Sequence, residues 1–132
     1  MPAPDTPSRK PFAYALLRVV PRAERGERLN VGVVLYSRQH GFLDMRAELD
    51  EARLAALDPG LDAEPVRERL EALRSVVCGE ADGGALAKLP PSERFGWIVA
   101  PASTIIQPSE VHTGLTDDPA QTLQRLFDTL VR

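Results

Sequence analysis

The sequence predicts an α+β fold, a mainly antiparallel sheet of about four strands covered by three or four helices. Two observations carry that expectation. β-type segments separated by polar turns fill the first half, and the apolar period changes to a helical one from Asp50 onwards. The chain then closes on an amphipathic run whose apolar stripe has to cover a sheet face. A length of 132 residues suits one domain that buries a core without metal or disulfide help. That domain is expected over residues 11–132, after a flexible tail at 1–10 that holds three prolines.

The first strand reads Phe12–Val20, rich in β-branched and aromatic residues with almost no polar face, as for a strand covered on both sides. Pro21 ends it. A charged connector, Arg22–Arg28, centres on Gly26 and leads into a second strand, Leu29–Tyr36. Gly32 inside that strand marks a bulge or a close backbone approach. After a polar turn at Ser37–Gly41, Phe42–Ala47 completes an antiparallel meander.

Asp50 is placed to cap a short helix, with Leu49 and Leu54 as its hydrophobic staple, and Asp58-Pro59-Gly60 stops it. A longer helix follows over Ala63–Gly79, with Val66, Leu70, Leu73 and Val77 on one face. Gly79–Gly84 breaks it. Pro90–Ala100 is assigned to helix, with strand as the alternative because Gly96 weakens a helix. Ser103–Gln107 is expected to be the fourth strand. Gln107–Pro119 then reads as a polar loop before the last helix, where Asp118 is the N-cap, Pro119 the first helical residue and Gln121 at capping-box spacing. Leu123, Leu126, Phe127, Leu130 and Val131 form its stripe. Phe95 and Trp97 are expected in the core, Cys78 as a buried inert thiol, and His40 as a solvated turn residue.

Composition excludes several classes. With 43% hydrophobic and 27% charged residues the chain is an ordinary globular protein. A net charge of −3 opposes a general phosphate-backbone binder, so nucleic acid is not the expected partner. The one cysteine cannot pair within the chain, which suits a reducing cytoplasm. No run approaches the roughly 20 apolar residues of a membrane helix, and no secretory leader is recognisable. There is no glycine-rich phosphate loop, no Cys-x-x-Cys, no Gly-x-Ser-x-Gly and no His-Glu-x-x-His. No cofactor or metal is therefore expected, and catalysis is not the favoured reading.

The candidate site residues fall in two places. Glu110, His112, Thr113 and Asp117 surround Gly114, where a histidine offers acid–base or ligand chemistry and Thr113-Gly114 a hydroxyl and a backbone N–H. The bland alternative is a histidine that only fixes the loop. Asp117 and Asp118 are adjacent carboxylates, but capping and the helix dipole account for them without a metal. Arg18, Arg22, Arg25 and Arg28, with Asn30, form the second group. Arg18 stands inside an apolar strand, so it needs a partner; Glu110, Asp117 or Asp44 as a structural carboxylate is favoured over an anionic ligand.

Two passages, Tyr14–Tyr36 (YALLRVVPRAERGERLNVGVVLY) and Gln107–Pro119 (QPSEVHTGLTDDP), together resemble a bacterial family catalogued as domain of unknown function 3037, over roughly residues 12–131. The resemblance implies no activity, catalytic residue or cofactor. It implies a protein partner, a kinase-like one. The resulting expectation is a non-catalytic cytosolic binding domain that engages a protein through a polar surface around His112 and the Arg22–Arg28 hairpin. Its rival is a small enzyme or ligand-binding domain for a phosphate-containing metabolite or nucleotide. Free sheet edges leave homodimerisation open.

Overall fold

A computed structural model describes residues 9–132. Its centre is β1 (Lys10–Val19), flanked on one side by β2 (Leu29–Ser37) and then β3 (Phe42–Ala47). On the other side β1 pairs with two short strands: β4 (Ile106–Pro108) against Leu17–Val19, and β5 (His112–Thr116) against Lys10–Tyr14. All pairings are antiparallel. Among the described residues the sheet thus has five strands, and four α-helices cover it: α1 (Glu51–Leu57), α2 (Ala63–Val77), α3 (Pro91–Val99) and α4 (Pro119–Leu130).

Alternation along β1 makes both faces core. Ala15, Leu17 and Val19 join Val34, Met45, Leu54, Val66, Leu73, Phe95 and Ile98 beneath α1, α2 and α3. Phe12 and Leu16 join Val33, Leu35, Leu123, Phe127 and Val131 beneath α4, which among the described residues covers its face alone. That is why β1 has no polar face in sequence. The register slips once: Leu17 pairs with Gly32 but Arg18 with Asn30, leaving Val31 as the bulged residue. A Cβ on Gly32 would sit 3.1 Å from the Arg46 carbonyl oxygen, so the bulge and a close strand approach coincide there.

Local capping follows the sequence. Asp50 accepts hydrogen bonds from the backbone of Ala52 and Arg53, and Asp118 from that of Gln121. The capping box is half formed, because the Asp118 N–H donates to Thr116 Oγ1 rather than to Gln121. Asp118→Ala is expected to lower stability by about 1 kcal/mol, read by urea denaturation; no change would mean that the Thr116 contact suffices.

Several expectations are corrected. The tail expected at 1–10 lies mostly outside the described residues, and Lys10 already belongs to β1. The fourth strand begins at Ile106, not Ser103, and His112–Thr116, read as loop, is a fifth strand. Its polarity reflects an edge position with one side open to water. Gly114 is glycine for space: an added Cβ would lie 2.8 Å from the Phe12 ring across the pair. Pro91–Val99 is helix, and this decides Trp97: Phe95 and Ile98 face the core at helical spacing, which turns Trp97 outwards to 39% exposure. Cys78 is exposed, not buried. His40 is not merely solvated; its Nε2–H donates to the Thr116 carbonyl at 2.8 Å and ties the β2–β3 turn to β5.

Candidate functional site

The outer edge of the sheet is the first candidate. β4 and β5 both border β1 on their inner side, and among the described residues no strand pairs with their outer side. Between them the chain steps through Ser109, which is buried and substitutes its hydroxyl for a ladder carbonyl. The Leu16 N–H donates to Ser109 Oγ at 2.8 Å, while the Ser109 N–H donates to the Leu16 carbonyl at 2.9 Å.

His112 pairs with Tyr14 and lays its ring against the tyrosine ring, centroids 5.3 Å apart. Glu110 Oε1 lies 3.9 Å from His112 Nε2, and both side chains are largely in solvent. Thr113 and Leu115 pair with Ala13 and Pro11, so they point to the other side of the sheet, the side of α2 and α3. Leu115 is 56% exposed on that side, and Val111, just before β5, is 42% exposed. Trp97 borders an apolar slot of about 160 Å³ that reaches β4 through Ile106 and Pro108. The Arg69 guanidinium lies 5.9 Å from its ring centre. Leu115 thus adjoins the β5 edge, whereas Trp97 lies by β4, about 20 Å of strand away.

The second candidate surrounds Arg18. Its Nε donates to Asn30 Oδ1 at 3.2 Å, and Asn30 Nδ2 donates to the Leu130 carbonyl at 3.1 Å, at the end of α4. The expected carboxylate partner is absent among the described residues; an amide takes its place, because the bulge at Val31 sets Asn30 opposite Arg18. Burial pushes the Arg18 guanidinium below its ordinary pKa. The nearby charge of Arg28 adds to this, and Glu110 opposes it. Arg18, Arg28, Asn30 and Arg53 line an open cleft of about 400 Å³, together with Leu29, Leu130 and Val131. Arg28 stands with Arg18 already in the sequence grouping, but nothing in sequence joins Arg53 to them; helix-to-strand packing does.

The remaining candidates lie apart. Arg22 and Arg25 sit at the hairpin tip, beside Leu57, Asp58 and Pro59. Glu27 pairs with Arg25 at 2.6 Å; its hydrogen bond raises the arginine's pKa and lowers its own. From Tyr14, the partner of His112, to Val19, where the hairpin begins, is about 17 Å of extended strand. The one polar surface expected from His112 and the hairpin is therefore two. Asp117 lies beyond Thr116, which pairs with Lys10, about 26 Å of strand from Arg18. It neighbours the start of α4 and no other candidate.

Arg94 is a residue that sequence reasoning missed. It donates to the carbonyls of Leu89, Val76 and Val77, closing the end of α2 onto α3. Nothing in its local sequence signals that role. Although Cys78 is exposed, partial desolvation of its thiol first and the charge of Asp44 next raise it above the usual range. Among the described residues no three His, Cys, Asp or Glu side chains gather as metal ligands, and no helix is long and apolar enough to cross a membrane.

A family model described as Protein of unknown function (DUF3037) matches residues 14–131. No curated protein and no solved structure matches the chain.

Proposed function

Since the chain belongs to the DUF3037 family, whose description assigns no activity, we propose that it is a non-catalytic binding domain of the bacterial cytoplasm, one that takes an extended segment of a protein partner along the outer edge of β5. The observation that carries this reading is the meeting of a strand edge, unpaired among the described residues, with the exposed large hydrophobic residues Val111 and Leu115.

A free strand edge presents a row of N–H and C=O groups to a fourth-side neighbour, and alternate side chains then supply selectivity. Pro108 contributes no N–H to a ladder, so His112–Thr116 is the continuous stretch available. Leu115 and Val111 offer apolar area to the incoming segment. His112 and Glu110, on the opposite side, supply a polar border that fixes its register. The hairpin arginines lie too far along the sheet to join this contact. A kinase-like protein, the partner that the family resemblance implies, is the first to assay.

Affinity capture from the protein's own cells tests the reading. Wild type is expected to retain a partner, and Leu115→Lys to weaken retention roughly tenfold or more, since withdrawing a leucine from an interface costs about 1.5–3 kcal/mol. His112→Ala is expected to weaken it less and Arg22→Ala not at all. Undiminished retention by Leu115→Lys overturns the edge. So does a wild-type dimer that Leu115→Lys converts to monomer, which assigns the edge to a second copy of this chain.

A further inference from the structure

We propose that the cleft at the C-terminal end of α4, lined by Arg18, Arg28 and Arg53, binds the phosphate group of a small phosphorylated metabolite. The site is separate from the β5 edge and stands independently of the partner reading.

The case rests on unbalanced charge in a shaped space. Three guanidinium groups line a single cleft whose other walls are Leu29, Asn30, Leu130 and Val131, with no acidic side chain among them. The bland explanation is that these groups only cap α4, whose last carbonyls carry partial negative charge. The hydrogen bonds limit that explanation. Asn30 satisfies the Leu130 carbonyl, and Arg53 Nη1 satisfies that of Val131 at 2.8 Å. Arg53 also lies 3.5 Å from Asp50, so its charge is partly answered. Among the described residues Arg18 uses only its Nε, towards Asn30, which leaves both terminal nitrogens for another acceptor. Among the described residues no carboxylate comes within ion-pair distance of Arg18 or Arg28, and the repulsion of Arg18 by Arg28 outweighs its attraction by the more distant charge of Glu110.

Such a pair is stable when an anion sits between its members. Guanidinium forks match the oxygens of a phosphate, and a dianion answers two arginines at once. A cleft of about 400 Å³ has room for a phosphate with a sugar-sized body. A polymeric phosphate backbone fits less well, because the chain carries a net charge of −3.

Calorimetric titration of the purified full chain with ribose 5-phosphate, ATP and inorganic phosphate, at constant ionic strength, tests the proposal. Arg28→Gln is the key variant, because Arg28 is exposed and its side chain makes no hydrogen bond within the described residues, so folding is not at stake. Arg18→Gln is the second. The expected result is saturable binding of ribose 5-phosphate or ATP by wild type, tighter than inorganic phosphate and at least tenfold weaker in each variant. Binding by Arg28→Gln equal to wild type overturns the proposal, as does no binding of any probe. Inorganic phosphate bound as tightly as the esters assigns the cleft to the free anion and overturns the metabolite. Displacement of the esters by a short single-stranded oligonucleotide at lower concentration assigns it to nucleic acid instead.

Discussion

Phe127→Ala is expected to remove about 3–5 kcal/mol of unfolding free energy, the range for emptying an aromatic site in a packed core. Among the described residues α4 is the sole cover of its sheet face, so no second described helix can shift to fill the space. Phe127 is 6% exposed and shares its cluster with Phe12, Leu16, Val33, Leu35, Leu123 and Val131. The Arg132 guanidinium also lies 5.9 Å from its ring centre and loses that contact. With a total stability of 5–15 kcal/mol for a typical domain, the loss is a large share. In urea it is expected to lower the unfolding midpoint by about 2 M at an ordinary denaturant slope. A shift below about 0.5 M would mean that α4 contributes little to the fold. Leu130 and Val131 line the arginine cleft, so the same variant is expected to weaken phosphate binding without replacing any of the cleft arginines.

Ser109→Ala is expected to cost about 1–3 kcal/mol, the desolvation penalty of a buried donor left without an acceptor. The donor is the Leu16 N–H, deep in the central strand, and the Ser109 hydroxyl is its recorded acceptor at 2.8 Å. The lost methylene-sized group is small, so cavity terms contribute little and the hydrogen bond dominates. Amide hydrogen exchange at Leu16 separates the two: it is expected to quicken in Ser109→Ala relative to its β1 neighbours. Exchange at Leu16 as slow as in wild type would show that another group takes over as acceptor. Because Ser109 joins β4 to β5, the variant is also expected to loosen the edge on which partner binding is proposed.

The parts of the fold governed by near neighbours were legible before any coordinates. Asp50 and Asp118 cap the helices assigned to them, because a cap needs only a short polar side chain two or three residues before its donor. β3 runs from Phe42 to Ala47 as read, bounded by a turn whose Gly41 has φ 62°. The stripe on α4 and the family resemblance were likewise readable from residue order. β5 was not. A strand at a sheet edge lacks the apolar alternation of a buried one, and its glycine is explained by the Phe12 ring on the neighbouring strand. Trp97 depended on one choice: strand alternation would have set it on the same side as Phe95, whereas helical spacing turned it outwards.

The candidate sites divide along the same line. The residue chemistry of the chain alone required that Arg18 have a partner, since a guanidinium in an apolar strand cannot remain unsolvated and unpaired. Which partner was a matter of register: the bulge at Val31 brings Asn30 opposite it, and the end of α4 closes over both. Capping, propensity and alternation act over one turn or one strand, so sequence by itself determined where most elements begin and which faces are apolar. Which side chains share an edge or a cleft rests on contacts such as Asn30 with Leu130, 100 positions apart. Those exist only once helices have packed on the sheet.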